Sequence, residues 1–276
     1  MSARLRHRGV AGAIFTALVL IFLLVPLIIV ALFSLHSSPS LTFPFKGFST
    51  RWYSEVFGAE DFRESLFNSL KLALATALFT LIFGTAAAYG VTRSGSRLSG
   101  VGVAIFMLPI TLPLLFVGIA LLIALRRAGI ELSLLTILIG HTIIAFPFFF
   151  MIARVALERL DPMLEEAAAD LGASPWTAFR KVTLPQVLPV LLGAAALAFM
   201  VSLDEFIVTF FVSGNETTLP LFIFSRLRTT LNPSINVVST LLMAITLALF
   251  VFAFVMGIRA ERKRSRRAAA LLDQVG

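Results

Sequence analysis

Apolar residues gather in six long runs that polar segments separate, and this pattern decides the fold class. The runs are Gly12–Phe33, Leu66–Val91, Val101–Leu125, Leu132–Ala153, Val187–Val212 and Val237–Ile258. An α-helix rises about 1.5 Å per residue, so about 20 apolar residues cross a hydrocarbon layer roughly 30 Å thick. The pattern therefore predicts an all-α polytopic membrane protein with six transmembrane helices.

The composition agrees with a membrane protein and excludes several classes of site. Hydrophobic residues make up 58% and charged residues 14% of the 276 residues, whereas about a quarter of a soluble domain is charged. There is no cysteine, which excludes disulfides, thiolate metal sites and cysteine nucleophiles. The net charge of +8 comes from basic residues placed between apolar runs, so it indicates topology and contact with lipid, not nucleic-acid binding.

The distribution of basic residues predicts the orientation. Most of them lie before the first run, after the second and fourth runs, and after the sixth. Lys and Arg accumulate on the cytoplasmic side of membrane proteins. We therefore expect both termini and the loop between the fourth and fifth runs to be cytoplasmic, although Arg126 and Arg127 fall in a loop on the opposite side. In the first external segment, Trp52 and Tyr53 are interpreted as interfacial anchors in preference to a ligand site.

The cytoplasmic loop before the fifth run has the signals of two short helices. Asp161-Pro162 is a helix start, Gly172 suits a left-handed helix end, and Ser174-Pro175 starts a second helix, which Pro185 limits. Trp176 and Phe179 follow in that second helix. So short a unit has no core of its own, and spacing alone leaves two interpretations open, a docking element or a solvated connector.

The same loop carries a specific motif. Seven positions follow the pattern E-A-A-x3-G-x9-I-x-L-P, with valine replacing isoleucine: Glu166, Ala167, Ala168, Gly172, Val182, Leu184 and Pro185. The chain therefore resembles the permease subunits of type I ATP-binding-cassette importers, which have the MetI-like fold. The resemblance implies that loop 156–185, including Ala173, Trp176 and Phe179, supplies a coupling helix to a separate ATPase.

The resemblance also implies an organisation and a set of partners. Residues 1–65 would form an anchor helix with an external segment, 66–258 the five-helix permease core, and 259–276 a basic cytoplasmic tail. The partners would be a second permease forming a heterodimer, an ATPase dimer and an extracytoplasmic solute-binding protein, in a bacterial inner membrane. The chain contains no G-x-x-x-x-G-K-[ST] phosphate loop, so we expect a non-catalytic subunit without a cofactor, ATP and magnesium being used by the partner ATPase.

The fifth run contains two acidic residues, Asp204 and Glu205. A carboxylate at the centre of a span costs about 3 kcal/mol even on lenient scales, so it indicates function. On a continuous helix Ser202, Glu205 and Thr209 share one stripe, which predicts a substrate path along them. Asp204 would lie on the opposite side, either contacting substrate or tied to Lys71 or Asn68, unless the helix is broken near Ser202.

Further segments narrow the resemblance. Three segments are similar to the second permease subunit of spermidine/putrescine importers: "SLDEFIVTFFVSGNETTLPLFIFSRLR", "NPSINVVSTLLM" and "FKGFSTRWYSEVF". Polyamines are cations, which carboxylates attract. Related permeases carry amino-acid-like compounds, iron, sulfate or molybdate, and these alternatives stay open, although two carboxylates argue against an anion.

Other polar residues in or beside the runs have two interpretations each. His141 is interpreted as an interhelical hydrogen-bonding residue in preference to a proton relay. Arg226 and Arg228 would contact either a binding protein or lipid headgroups. Pro109, Pro113 and Pro147 would shape gates or serve packing. A secondary carrier or a membrane enzyme is disfavoured because the intramembrane polar groups are scattered over three runs.

Overall fold

The computed structural model describes residues 2–41, 44–94, 98–229, 232–251 and 255, without the side chains of 2–11 and 98. The predicted basic tail, 259–276, lies outside them. Within these ranges the chain is helical, apart from turns, loops and one isolated antiparallel bridge between His36 and Phe48. The all-α prediction is therefore confirmed for the part of the chain that the structure describes.

Thirteen helices are distinguished in the described ranges. They are α1 (Ser2–Ser34), α2 (Arg51–Gly58), α3 (Glu60–Phe79), α4 (Thr85–Arg93), α5 (Leu98–Thr111), α6 (Leu114–Arg127), α7 (Leu134–Glu158), α8 (Met163–Asp170), α9 (Pro175–Ala178), α10 (Leu184–Leu203), α11 (Ile207–Val212), α12 (Leu219–Thr229) and α13 (Ser234–Val251). Two π-helical turns, Thr80–Gly84 and Phe179–Thr183, join α3 to α4 and α9 to α10.

The number of spans agrees with the sequence pattern if one bent pair is counted as a span. Among the described residues, five helical stretches are long and apolar enough to cross a membrane, and α5 with α6 makes a sixth, bent by 105°. The bend lies where Pro113, in extended backbone, precedes α6, because proline cannot donate the hydrogen bond that would continue the helix. Pro109 and Pro147 lie inside α5 and α7, so neither of them ends its helix.

The fifth run is not one helix. Its first part is α10, which ends at Leu203, and α11 begins only at Ile207. The run Val187–Val212 is therefore not one continuous helix. The break near Ser202 that the sequence left open is present, and it falls on the two acidic residues. The stripe argument that placed Ser202 and Thr209 beside Glu205 assumed an unbroken helix and fails with it.

The chain divides into two compact units. The first comprises Met1–Arg63 and Ile223–Ala244, and the second comprises Glu64–Phe222 and Ile245–Gly276. In the first unit the Trp52 indole Nε1 donates to the His36 carbonyl at 2.8 Å, and only 3% of Trp52 is exposed. Tyr53 hydrogen-bonds Ser34 at 2.8 Å. The interpretation of Trp52 as an interfacial anchor is therefore wrong, because its ring is buried in the protein. Tyr53 is half-buried, and its role as an anchor stays a prediction.

The second unit is built around α7, which packs against α4, α5, α10 and α11. Phe149, Phe150 and Leu191 are fully buried in its larger core cluster. Close approach is possible because of small residues: a Cβ on Gly140 would lie 2.7 Å from Val208 Cγ1. Small side chains at helix interfaces provide the packing contacts that hold membrane helices together. Helix α11 therefore packs directly against α7.

Candidate functional site

The loop between α7 and α10 folds as the two short helices that its caps predict. The Asp161 carboxylate accepts from the Met163 N–H at 3.0 Å, and α8 begins at Met163, one residue later than predicted. Gly172 has φ +86°, and the Ala173 N–H donates back to the Ala168 carbonyl at 3.0 Å. This is the left-handed helix end for which glycine is suited.

The second short helix does not stop where the sequence suggested. Ser174 accepts from the Thr177 N–H at 3.3 Å, which confirms the predicted start. The chain then continues through the π-helical turn into α10, and Pro185 occupies the first turn of α10. The helix continues through Pro185, so the prediction that Pro185 limits it is wrong. The loop is thus mechanically continuous with the fifth span.

The motif residues lie on a loop with several exposed apolar side chains. Leu171 is 90%, Met163 68% and Trp176 67% exposed, and Trp176 stacks on Phe179 with ring centroids 5.7 Å apart. Among the other predicted coupling residues, Glu166, Ala167, Gly172 and Pro185 are exposed, and Ala168, Ala173, Val182 and Leu184 are half-buried. Large exposed apolar side chains in a polar loop are typical of a protein interaction site.

A residue that the motif does not include anchors this loop. Glu165 accepts hydrogen bonds from Tyr89 Oη at 2.8 Å, Arg93 Nε at 3.1 Å and Thr183 Oγ1 at 2.6 Å. The motif does not predict this role for Glu165. Its partners lie 72, 76 and 18 positions away, and no local pattern connects positions so distant.

The Glu165 carboxyl is charged at neutral pH. Burial raises its pKa, but the hydrogen bonds from Thr183, Tyr89 and Arg93 and the Arg93 charge outweigh burial and hold the pKa below its ordinary value. The contribution of these bonds to stability is therefore present above the ordinary glutamate pKa and is lost as the pH falls through the lowered one.

The break between α10 and α11 opens onto a cleft. Asp204 and Glu205 line this cleft of about 540 Å³, together with residues of α6, α10 and α11 and with Thr246 of α13. Glu205 is 7% exposed, and its Oε1 accepts from the Val208 N–H at 2.8 Å. The buried carboxylate thus supplies an acceptor to the first turn of α11, where backbone N–H groups have no helical partner.

Asp204 is exposed in the cleft. The proposed tie to Lys71 or Asn68 is not formed: Lys71 is exposed, and the Asn68 amide donates to the Thr217 carbonyl at 3.2 Å. Among the described residues Asp204 makes no ion pair. Its charge is therefore available to a cation that enters the cleft.

His141 holds the two halves of the broken span together. Its Nδ1 hydrogen-bonds Ser202 Oγ of α10 and its Nε2 hydrogen-bonds Thr209 Oγ1 of α11, both at 2.7 Å. Ser202 and Thr209 are 2% and 0% exposed. The interhelical interpretation of His141 is confirmed, whereas Ser202 and Thr209 lie within the subunit and do not line the cleft.

Arg226 and Arg228 have partners within the first unit. Arg226 forms an ion pair with Asp61, and the Arg228 guanidinium carbon lies 4.4 Å from the centroid of the Phe224 ring. Each arginine therefore contributes a side-chain contact inside the first unit.

Comparison with known proteins identifies the family of this chain. Residues 80–266 match the family described as binding-protein-dependent transport system inner membrane component. The chain belongs to this family. It is 35% identical over 255 residues to the putrescine transport system permease protein PotI of Escherichia coli K12, covering 89% of this chain and 90% of that protein. It is 30% identical over 256 residues to the spermidine/putrescine transport system permease protein PotC of the same strain, covering 91% and 93%.

The solved structures support the same fold. A bacterial ABC transporter involved in the import of the acidic polysaccharide alginate has a chain that superimposes with a TM-score of 0.71 at 19% identity, covering 91% of this chain and 96% of that one. The predicted ABC-importer permease fold is therefore confirmed. This family member is a multi-pass inner-membrane transport permease and not an enzyme, as the sequence predicted.

Proposed function

We propose that this permease is one of two subunits that form the pore of an ATP-driven importer of polyamines. The observation that carries the proposal is the pair Asp204 and Glu205 at the break of the fifth span. Helix breaks at membrane depth occur where the backbone lines a cavity, and the free backbone groups and charges there bind solutes and ions. Two carboxylates facing one cleft favour a cation over the anions that related permeases carry.

The polyamine assignment is supported by the relatives. PotI and PotC are named for putrescine and spermidine, and each aligns with this chain over most of its length. Putrescine and spermidine carry ammonium groups at both ends. Asp204 is exposed in the cleft and has no ion pair among the described residues, so it offers the carboxylate that one ammonium group needs.

The coupling role of the cytoplasmic loop is supported by its exposed apolar side chains. Leu171 and Trp176 would be covered by a groove of a separate ATPase, where ATP and magnesium are used. The other partners in this proposal are a second, different permease subunit and an extracytoplasmic solute-binding protein. Both termini and the α8–α9 loop would then face the cytoplasm, in agreement with the distribution of basic residues.

Uptake by the assembled transporter tests the proposal. The chain is reconstituted in vesicles with its partner permease, ATPase and binding protein, and radiolabelled putrescine, spermidine, an amino acid, an iron chelate, sulfate and molybdate are supplied. We expect ATP-dependent uptake of putrescine or spermidine and none of the anions. ATP-dependent uptake of sulfate or molybdate without polyamine uptake would reject the polyamine assignment. A transporter without ATP-dependent uptake of any of them would reject the importer assignment.

A further inference from the structure

We propose that Glu165 transmits the movement of the coupling loop to the second transmembrane span. This inference rests on the proposed coupling role of the loop and adds a positioning residue that the motif does not contain. Glu165 is the point at which three separate elements meet: α8, the end of α4 and the π-helical turn before α10.

The loop has two routes into the membrane, and only one of them is covalent. Helix α9 continues through the π-helical turn into α10, so a displacement of Trp176 passes directly into the fifth span. The second span, Glu60–Arg93, ends 72 residues before Glu165 in the sequence and receives force from α8 only through non-covalent contacts. Tyr89 and Arg93 lie at its last turns, and both donate to Glu165.

The contact between Glu165 and the end of α4 is suited to hold α8 and α4 together. Arg93 and Glu165 side chains are each 17% exposed, so solvent screens the pair less than it screens a surface salt bridge. The charged Glu165 carboxylate accepts all three side-chain hydrogen bonds, so each of them is charge-assisted and stronger than a bond between neutral groups. Arg93 Nη2 is buried without a partner in the described part of the chain, so Glu165 is the carboxylate that compensates this buried cation.

The position of Glu165 distinguishes a role in transmitting movement from a role in docking the ATPase. Glu165 is half-buried, whereas the adjacent Glu166 and Ala167 are exposed. The exposed residues are available to a partner while Glu165 points back into its own subunit. A change at Glu165 should therefore leave the surface offered to the ATPase in place and weaken the connection behind it.

The test compares coupling in the fully assembled transporter. Glu165→Ala removes all three bonds, Glu165→Gln keeps an acceptor oxygen but removes the charge, and Arg93→Ala removes the ion pair from the other side. For each variant the amount of assembled complex, the binding-protein-stimulated ATP hydrolysis and the solute imported per ATP are measured. Because a coupling free energy typically changes an equilibrium about 5- to 150-fold, we expect Glu165→Ala to lower import per ATP about tenfold with ATP hydrolysis retained. Glu165→Gln and Arg93→Ala should give smaller losses.

A matched control distinguishes this link from any cytoplasmic ion pair. Glu158 pairs with Arg154 within α7 at 2.6 Å, and both side chains are more than a third exposed. Because this pair joins a helix only to itself, Arg154→Gln, which removes the pair at a residue outside loop 156–185, should keep the import per ATP of the unchanged protein. The double variant Glu165→Arg with Arg93→Glu exchanges the two charges and so restores the ion pair. It should recover part of the import per ATP that is lost in Glu165→Ala.

Each remaining outcome has a definite meaning. Normal import per ATP in Glu165→Ala would overturn the inference, and so would a parallel fall of hydrolysis and import, which indicates lost docking. If Glu165→Ala does not assemble, the conservative variants Tyr89→Phe and Thr183→Val test the inference, because each removes one hydrogen bond to Glu165. Normal import per ATP in both variants would overturn the inference. Absence of ATP-dependent import by the unchanged protein would instead reject the proposed function on which the inference rests.

Discussion

At the scale of single residues, Asp204 and Glu205 are neighbours with different surroundings. Glu205 is almost fully buried and accepts the Val208 N–H, so its carboxylate is partly a structural group for α11. Asp204 is exposed in the cleft and, within the described ranges, has no ion pair. Asp204 is therefore the residue whose charge can be removed with the least effect on the fold.

Asp204→Asn should weaken the binding of a cationic solute in the pore. Loss of one partly exposed charge contact is worth about 1–2 kcal/mol, which corresponds to a roughly tenfold higher apparent KM for polyamine uptake. Uptake kinetics in vesicles measure this effect, with Glu131→Gln as the control, because Glu131 is an exposed carboxylate outside the cleft. Equal KM values for the unchanged protein and Asp204→Asn would remove Asp204 from the substrate path.

Glu205→Gln separates the structural role of Glu205 from its charge. Glutamine keeps a carbonyl oxygen that accepts the Val208 N–H, so the variant should assemble normally. We expect polyamine uptake to be reduced at unchanged amounts of complex in the membrane. Unchanged uptake would mean that the Glu205 carboxylate serves only α11.

At the scale of elements, irregular stretches of helix lie at or beside the candidate sites. The bend between α5 and α6, the break between α10 and α11 and the π-helical turn before α10 all interrupt regular hydrogen bonding. In a membrane such interruptions persist only where neighbouring groups satisfy the backbone. The Glu205 acceptor does this at α11, and Gly172 closes α8 at the coupling loop.

Gly172→Asp tests the geometry of the coupling loop. At φ +86° a residue with a Cβ is strained, although an added Cβ would have no neighbouring atom within 4 Å, and the left-handed region costs about 1–2 kcal/mol. We expect the variant to reach the membrane but to couple ATP hydrolysis to uptake poorly. Uptake per ATP hydrolysed in vesicles, at equal amounts of assembled complex, measures this loss.

Gly129→Asp is the matched control for this change. Gly129 has φ +70° and equally open surroundings, but it lies in the loop between α6 and α7, away from α8 and α9. The same backbone strain and the same added charge should there leave coupling intact. If both variants lose coupling equally, or neither does, the loop geometry around Gly172 is not what uptake depends on.

At the scale of the whole molecule, the orientation in the membrane decides on which side the α8–α9 loop and the segment that contains α2 lie. The coupling loop must lie on the cytoplasmic side if it contacts an ATPase, and the segment that contains α2 must then be external. The chain has no cysteine, so a single introduced thiol reports the side on which it lies.

Single-cysteine labelling with a membrane-impermeant maleimide measures this orientation. Ser54→Cys, exposed on α2, should react in intact cells with a permeable outer membrane. Arg159→Cys, exposed at the end of α7, should react only after the inner membrane is opened. The reverse pattern would contradict the cytoplasmic assignment of the loop and the proposed docking of an ATPase.

Much of the fold was predictable because its causes are local in sequence. The bilayer imposes a length on each apolar run, so the spans could be read from the chain without knowledge of their packing. Asp161, Gly172 and Ser174 act through backbone groups only a few residues away, and their capping roles were predicted for the same reason. The motif from Glu166 to Pro185 likewise identified the family from contiguous residues.

The tertiary structure decided the features that depend on distant partners. Sequence periodicity treats a span as one regular helix, so it could not place the break at Asp204 or the turning of Ser202 and Thr209 towards His141. Nor could it connect Glu165 with Tyr89 and Arg93, because their sequence separations of 76 and 72 are bridged only when α8 packs against α4. By itself the sequence determined the spans, the caps and the family, whereas packing decided which charged groups are held by hydrogen bonds inside the protein and which carboxylate of the cleft is exposed.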